Sequence, residues 1–293
     1  MIIPVETLDI AAWPSEISAR AGGQETKSLE TGKVLLLPKL GFVVAENEGD
    51  LICAASADGT SKNISFDPAT GKLRGCALND DRQSLMAGMI GRFYRQARLL
   101  VEALLPPYSA QLRTGMTSYR PLELEGRRSS INEDDSRLHI DAFTSRPIQG
   151  LRILRVFSNI NPQGKPRIWE LGEPFESIAQ RFQPRVRPQW PGSAWLLETT
   201  HITKGRRSPY DHVMLGVHNA MKHDTQYQTA APRVRFEFPA GSTWACFSDS
   251  VAHAALRGQH LLEQTFYVPV SAMHDERYAP LRVLERLCQR RLS

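Results

Sequence analysis

The stretch LHIDAFTSRPIQGLRILRVFSNI, residues 138–160, lies at the heart of a long β-like region and decides the fold. Short apolar runs with intervening Gly or Pro recur from about Thr117 to Val270. The runs are SYRPLEL, LHIDAF, GLRILRVFSNI, PRIWELG, SAWLLETTHI, HVMLGVHNA, VRFEFPAG, STWACFSD and LLEQTFYVPV. Regular short runs of this kind, with no long helical period between them, predict an antiparallel sandwich or barrel. We therefore expect a mainly β, jelly-roll domain with flanking helices.

Helical and strand-like patterns lie on either side of this region. Apolar residues recur at spacings of three and four between Asp80 and Leu105, which predicts an amphipathic helix that ends before Pro106. Residues 30–60, including KVLLLPKLGFVV and DLICAASA, resemble short strands with turns, and the last residues predict a basic amphipathic helix. We predict N-terminal strands and a long helix over residues 1–110, a catalytic β domain over 111–272 and a C-terminal helix over 273–293.

Composition excludes several classes of protein. Hydrophobic residues make up 41% and charged residues 23%, values typical of a globular chain with a core. The N-terminus lacks the pattern of a signal peptide and no 18 apolar residues run together, so we expect a cytoplasmic protein without a transmembrane segment. The formal charge of +5 is a modest excess that slightly favours anionic partners. The clustered basic residues form either an ordinary solvated surface or a contact for an acidic substrate or membrane, and we expect no nucleic-acid partner. The four cysteines form no CxxC pair and predict neither a disulfide framework nor a zinc knuckle.

The sharpest chemical signal is the HxD triplet of His139 and Asp141. On a strand, residues two apart project from the same face and can bind one ion. A third ligand is available from His253, which precedes the last strand-like run. Two histidines and one carboxylate on one side of a metal are typical of non-haem Fe(II) oxygenases, whereas hydrolytic zinc more often takes three His or two His and a Glu. We predict that His139, Asp141 and His253 bind Fe(II) and form the catalytic centre.

The chain also resembles a known family. The order of the HxD triplet, the run RILRVFSNINP and the distal His is similar to that of the Fe(II)/2-oxoglutarate dioxygenases of the double-stranded β-helix (jelly-roll, cupin-like) fold. Three segments, LETGKVLLLPKLGF, residues 138–175 and SDSVAHAALRGQHLLEQTFYVPV, resemble the Kdo hydroxylases more closely. The resemblance covers residues 29–272. It implies that iron, 2-oxoglutarate and O2 react to yield succinate and a hydroxyl group at carbon 3 of the outer Kdo sugar of Kdo-lipid A, a lipopolysaccharide precursor.

The sequence departs from the superfamily at one point. Many members place Arg or Lys about ten positions after the distal His to bind the far carboxylate of 2-oxoglutarate, because a fork of donors matches a carboxylate. Here that position is near Gln264, which can donate one hydrogen bond but carries no charge. Arg155 is the preferred source of charge, since an inward-pointing Arg in an apolar strand needs an anion. Arg257 is the second choice, and a local salt bridge remains the alternative for each.

The substrate implied by the resemblance is anionic, so basic residues near the pocket mouth are candidate contacts. We predict substrate binding by residues before the HxD triplet and by the loop TKGRRSPYDH. The residues are Tyr119, Arg120, Arg127, Arg206 and Arg207. We expect the C-terminal basic helix either to pack on the barrel or to touch the cytoplasmic face of the inner membrane. Two alternatives stay open: a 2-oxoglutarate oxygenase for a protein side chain or small metabolite, and a non-catalytic sugar-binding β-barrel.

Overall fold

The computed structural model describes residues 4–15, 23–126 and 129–293. The strands are β1 (Val5–Thr7), β2 (Val34–Leu37), β3 (Ile64–Phe66), β4 (Leu73–Arg74), β5 (Arg113–Arg120), β6 (Arg152–Asn159), β7 (Arg167–Leu171), β8 (Val234–Phe238), β9 (Thr243–Phe247), β10 (His253–Arg257) and β11 (Leu261–Val268). The α-helices are α1 (Gly23–Glu30), α2 (Asp80–Leu104), α3 (Phe175–Phe182), α4 (Ser193–Thr199), α5 (Pro209–His223), α6 (Thr225–Ala230) and α7 (Pro280–Cys288).

The strands form two sheets that pack face to face. The larger sheet has the order β1-β2-β9-β6-β11-β5-β3-β4, and the smaller has the order β10-β7-β8. Aromatic side chains fill the space between them: Trp169 of the small sheet meets Phe157 and Trp244 of the large sheet at ring-centroid distances of 5.1 and 5.6 Å. Such aromatic pairs stabilise the core beyond the effect of apolar burial, and they favour particular relative orientations of the rings. The architecture is the predicted mainly β jelly roll.

The outer face of the large sheet is covered by α2. Met89 and Phe93 of α2 belong to the same buried cluster as Leu154 and Val156 of β6, while Phe157 belongs to the cluster between the sheets. Side chains alternate along a strand, so even-numbered residues of β6 face α2 and odd-numbered ones face the small sheet. Arg155 therefore projects into the interior between the sheets.

Two predicted strands are helices. SAWLLETTHI contains α4, and HVMLGVHNA lies within α5. The start of α5 is fixed by Ser208, which accepts from the backbone of Asp211, while the Asp211 carboxylate accepts from the backbone of Ser208. This capping box, with Pro209 at the first turn, satisfies N–H groups that a strand would leave to a neighbour. The strand prediction was wrong for both segments, and for HVMLGVHNA the reason is that the Ser208 cap and Pro209 begin a helix directly before it.

The segment DLICAASA was also predicted to be a strand, and it instead contributes to 3-10 helical turns over Glu46–Leu51 and Ala54–Ser56. The predicted N-terminal strand is present as β2, which pairs with β9, and β3 pairs with β5. Strands from the first 110 residues thus extend the sheet of the β domain. The division of the chain at residues 110 and 272 stays a prediction.

The predicted long helix and C-terminal helix both form, as α2 and α7. Leu281, Val283 and Leu284 of α7 are buried in one cluster with Ile178 and Ala179 of α3. The apolar side of α7 is therefore occupied by packing within the protein. Across the described ranges, no helix combines the length and apolar character needed to cross a bilayer.

Candidate metal centre

The candidate metal centre lies where an extended segment meets the start of β10. His139 and His253 form an antiparallel bridge, in which each backbone N–H donates to the carbonyl of the other at 3.0 and 2.8 Å. Asp141 is held two residues further on by its N–H, which donates to the carbonyl of Ser248 at 2.8 Å. These bonds fix the backbone of all three residues, although residues 138–141 are an isolated bridge and not a full strand.

The three side chains converge as metal ligands do. One ligand atom from each of His139, Asp141 and His253 lies within 4.8 Å of the others, and the His139 Nε2 to Asp141 Oδ1 distance is 3.9 Å. His139 Nδ1 lies 2.7 Å from the carbonyl of Arg137, and His253 Nδ1 lies 2.8 Å from that of Val251. A carbonyl only accepts, so each Nδ1 carries the hydrogen and each Nε2 keeps its lone pair. The histidines are thus in the tautomer that binds metal through Nε2.

Burial sets the protonation states that a metal needs. It lowers the pKa of His139 and of His253, so both imidazoles are neutral. For Asp141, burial acts to raise the pKa, but Arg155, His253, His139 and Ser248 together outweigh it and the pKa is lowered. Asp141 Oδ2 is buried and accepts no hydrogen bond from any described residue. Two neutral imidazoles and a carboxylate with a free oxygen fit a divalent cation.

Arg155 supports the carboxylate ligand. Its Nε lies 3.1 Å from Asp141 Oδ2 in an ion pair that lacks hydrogen-bond geometry, and its Nη1 donates to Glu263 at 2.8 Å. Glu263 in turn accepts from Arg120 at 2.5 Å, and Arg120 lies 3.7 Å from Asp135. The charges alternate along this chain, which is the arrangement in which buried ions are least costly. Burial acts to raise the pKa of Asp135, but Arg120 and Lys62 lower it to about 2.

Arg167 differs from the other cavity arginines because it has no carboxylate partner within ion-pair distance among the described residues. Its Nη1 donates to the carbonyl of Gly258 at 2.8 Å, while its buried Nε has no partner. Burial and the nearby charge of Arg120 lower the pKa of Arg167 to about 9. Trp169 lies beside it, stacked on the ring of His253 at 5.0 Å, with a buried indole N–H that also has no partner. Both unpaired donors line the cavity that contains the metal ligands.

Three sequence-predicted residues lie away from this cavity. Gln264 is fully buried on the α2 side of β11, where its amide binds Thr117 and the carbonyl of Thr265. It was placed wrongly because Glu263, one residue earlier, takes the inward face. Arg257 lies at the surface and pairs with Glu125. Tyr119 is buried in the α2 cluster, and its hydroxyl binds His260 at 2.7 Å.

The structure brings other predicted residues to the cavity or near its rim. Arg120 and Arg155 line the cavity together with the three ligands. Arg206 and Arg207 lie in the loop before α5, and Arg207 donates to the carbonyl of Thr144, three residues after the ligand Asp141. The predicted substrate contact Arg127 lies outside the described residues.

Sequence reasoning missed Arg167 and the support that His218 gives to the site. His218 on α5 binds the carbonyl of Ile140 through Nδ1 at 2.6 Å, and its ring lies edge-on to His139 at 5.4 Å. The sequence gives no signal for this role, because His218 lies six and five residues from His212 and His223, spacings that fit neither a strand face nor a helix face. The signal for Arg167 was available: it lies in the strand PRIWELG, on the same face as Trp169 and Leu171.

A jelly roll with two histidines and one aspartate around a cavity defines the class of 2-His-1-carboxylate metalloproteins, the arrangement of non-haem Fe(II) oxygenases. Within that class the chain belongs to the family of 3-deoxy-D-manno-oct-2-ulosonic acid (Kdo) hydroxylases, whose model matches residues 12–291.

Solved structures of the Kdo hydroxylase KdoO, described as a non-haem Fe(II) α-ketoglutarate-dependent dioxygenase, are similar over nearly the whole chain. The cobalt(II) complex is 42% identical, with a TM-score of 0.95, and the match covers 99% of this chain and 97% of that one. The complex with α-ketoglutarate and Fe(III) is 41% identical over the same shares, with a TM-score of 0.94. The apo structure is 42% identical over the same shares, with a TM-score of 0.95. No match was found among curated protein sequences.

Proposed function

We propose that this chain is an Fe(II)/2-oxoglutarate-dependent dioxygenase that hydroxylates carbon 3 of the outer Kdo sugar of Kdo-lipid A. His139, Asp141 and His253 bind the iron. The observation that carries the proposal is the orientation of the two histidines, whose Nδ1 atoms donate to backbone carbonyls and leave both Nε2 atoms beside Asp141. Family membership assigns the sugar class.

The charges in and beside the cavity favour binding of the co-substrate 2-oxoglutarate together with iron. Arg120, Arg155 and Arg167 contribute three positive charges, and three carboxylates balance them. The carboxylates are Asp135, Asp141 and Glu263. Iron(II) adds two positive charges, which the dianion 2-oxoglutarate neutralises. The site is neutral when both are absent and again when both are bound, whereas either one alone leaves a buried net charge, so each favours binding of the other.

When bound, iron and 2-oxoglutarate supply the oxidising chemistry, in which O2 is consumed and 2-oxoglutarate is converted to succinate. The residues of the chain bind and orient the reactants. Arg167 is the best candidate for the far carboxylate of 2-oxoglutarate, because it is a buried cation whose Nε lacks a partner. The indole N–H of Trp169 offers a second donor. Phe157 and Leu261 add apolar side chains to the lining of the same cavity.

The role of Arg155 is revised. Its guanidinium already binds Asp141 and Glu263, so it holds the carboxylate ligand in position. Arg120 lines the cavity beside Arg167 and stays a candidate for an anionic group of the substrate. Arg206 and Arg207 stay candidates for the phosphates of the lipid, on the outer loop. We place the enzyme in the cytoplasm, in peripheral contact with the inner membrane that carries its substrate.

The test is to load the protein with Fe(II) under anaerobic conditions and supply 2-oxoglutarate, O2 and Kdo-lipid A. We expect wild-type protein to form succinate and a lipid heavier by one oxygen atom. His139→Ala should form neither, because it lacks a metal ligand. The matched control is His274→Ala, which removes an exposed histidine and should retain both products.

Each product tests a different part of the proposal. Succinate without the heavier lipid would retain the oxygenase and reject Kdo-lipid A, which would favour a protein side chain or small metabolite as substrate. An Fe(II)-loaded protein that forms no succinate would reject the oxygenase and favour the sugar-binding alternative.

A further inference from the structure

Large apolar side chains are exposed together in one segment of the surface, residues 187–206, here called the Trp ridge. Trp190 is 80% exposed and Trp195 is 60% exposed, with Leu196 and Ile202 at 55% and 58%. Helix α4, which carries two of them, has no buried residue. Scattered exposed apolar residues are ordinary, but four large ones within thirteen consecutive residues indicate an interaction surface.

The same part of the chain carries the positive charge of the protein. Residues 181–207 contain five Arg, one Lys and one Glu, a net charge of +5. The rest of the chain contains 30 basic and 30 acidic residues, since the totals are 36 and 31. The exposed side chains of Arg187, Lys204 and Arg206 make no ion pair with any described carboxylate. Aromatic side chains among free cations match the interface of an anionic bilayer, where Trp lies at the level of the head groups.

The Trp ridge and the adjoining Arg207 are tied to the chain segment that follows the candidate ligand Asp141. Lys204 N–H donates to the carbonyl of Ser145 and Arg207 to that of Thr144, both at 2.8 Å. The buried Thr203 donates its N–H to the carbonyl of Leu197, which ties the loop to α4. Ser145 follows the ligand Asp141 by four residues, a reach of at most roughly 14 Å. A surface bound to the ridge is therefore close to the cavity.

We infer that the Trp ridge docks the protein on an anionic phospholipid bilayer, with Trp190 and Trp195 inserted among the head groups. The inference rests on the proposed function, which requires the enzyme to reach a sugar attached to a membrane lipid. Docking through a ridge beside the cavity brings the metal centre to the sugar while the lipid remains in the bilayer. The basic residues attract the anionic surface, and the aromatic residues supply apolar contact.

The C-terminal helix is less suited to this role than its sequence predicted. Its apolar residues Leu281 and Leu284 are buried against α3, and Arg282 is paired with Glu276 and Glu285. The remaining cations of α7 and the tail lack exposed apolar partners, apart from Tyr278 at 45%. These cations can attract an anionic surface, but they supply little apolar side chain to insert into a bilayer.

The experiment is co-sedimentation of the full chain with vesicles of phosphatidylethanolamine and phosphatidylglycerol, and with vesicles of phosphatidylcholine. We expect binding to the anionic vesicles and a loss of roughly tenfold or more in Trp190→Ser with Trp195→Ser. Val43→Ser with Tyr278→Ser, which removes exposed apolar residues elsewhere, should bind as wild type does. Quenching by lipids with brominated acyl chains should affect tryptophan fluorescence in wild type and not in the double Trp variant.

Three results would overturn the inference. They are wild-type protein that ignores anionic vesicles, a double Trp variant that binds as well as wild type, and a ridge-dependent self-association in place of vesicle binding. In the second case, loss of binding in Arg290→Glu with Arg291→Glu would place the docking surface at the C-terminus. Succinate formation without lipid substrate should be equal in wild type and the double Trp variant, so failure of the proposed function is visible separately.

Discussion

The main chains of His139 and His253 exchange two hydrogen bonds, from His139 N–H at 3.0 Å and from His253 N–H at 2.8 Å. Residues 114 positions apart are thereby joined directly at their backbones. The link is independent of any metal, because it uses no side-chain atom. The ligand geometry is therefore built into the fold, and metal binding needs little rearrangement.

The first prediction concerns metal-dependent stability. A ligand that binds only the folded state stabilises it by about 2.7 kcal/mol at a hundredfold excess over its Kd. For a chain of this size, we expect Mn(II) or Co(II) at that excess to raise the Tm by roughly 5 °C or more. His253→Ala should abolish the rise and His274→Ala should keep it, both measured by calorimetry. A rise that persists in His253→Ala would place the metal elsewhere.

The second prediction concerns Arg167, the cavity arginine without a carboxylate partner. A hydrogen bond to a charged group contributes about 1.5–3 kcal/mol, so Arg167→Met should raise the KM for 2-oxoglutarate by roughly ten- to a hundredfold. The metal-dependent rise in Tm should remain, because Arg167 does not touch the ligands. The control is Arg257→Met, whose side chain is at the surface. If KM is unchanged in Arg167→Met and raised in Arg155→Met, the anchor is Arg155.

The third prediction tests how Arg167 is positioned. Gly258 has φ +122°, and a Cβ at this residue would lie 2.6 Å from Arg167 Cδ. Gly258→Ala strains the backbone and displaces the Arg167 side chain, whose Nη1 also binds the Gly258 carbonyl. We expect a higher KM for 2-oxoglutarate with metal binding retained. Gly205→Ala, where a Cβ meets no atom within 4 Å, is the control. Equal KM values in the two variants would show that Arg167 tolerates the displacement or does not bind the co-substrate.

The candidate metal ligands could be proposed from the sequence because their chemistry depends on residue type and order. An HxD triplet and a distal His before the last strand are visible without coordinates, and the structure brings their side chains within 4.8 Å. The strands β6, β7, β8, β9 and β11 could be predicted for the same reason, since alternation and turn residues are local signals. Both kinds of feature depend on residue type and on near neighbours in the chain.

The candidate co-substrate residues could not be predicted as well, because their positions depend on which face of a strand points inward. Gln264 and Glu263 differ by one position, yet Glu263 pairs with the cavity residue Arg155 and Gln264 binds Thr117 on the opposite face. A shift of one residue reverses the face. Likewise, Arg155 was expected to need an anionic partner, and its partners in the structure are Asp141 and Glu263. The sequence does not show that these two carboxylates lie beside it. Contacts between distant segments decide these roles.

The last prediction concerns the pH dependence of the metal-free protein. Burial lowers the pKa of four histidines below the ordinary value of 6.5. They are His139, His218, His253 and His260. The unfolded chain binds more protons at these groups than the folded chain, so their contribution to stability is present above pH 6.5 and is lost as the pH falls. We expect the free energy of unfolding to decrease below that pH, by at most about 1.4 kcal/mol per pH unit for each histidine.

The measurement is urea unfolding of chelator-treated protein between pH 7.5 and 5.5. Carboxylates such as Asp135, whose pKa is lowered to about 2, titrate below this window and do not contribute to the slope. His218→Gln should reduce the slope, because it removes a buried titrating group while its amide can still donate to the carbonyl of Ile140. His274→Gln, at an exposed position, should leave the slope unchanged. A wild-type stability that is constant across the window would mean that these histidines titrate alike in the folded and unfolded chains, against the burial that surrounds them.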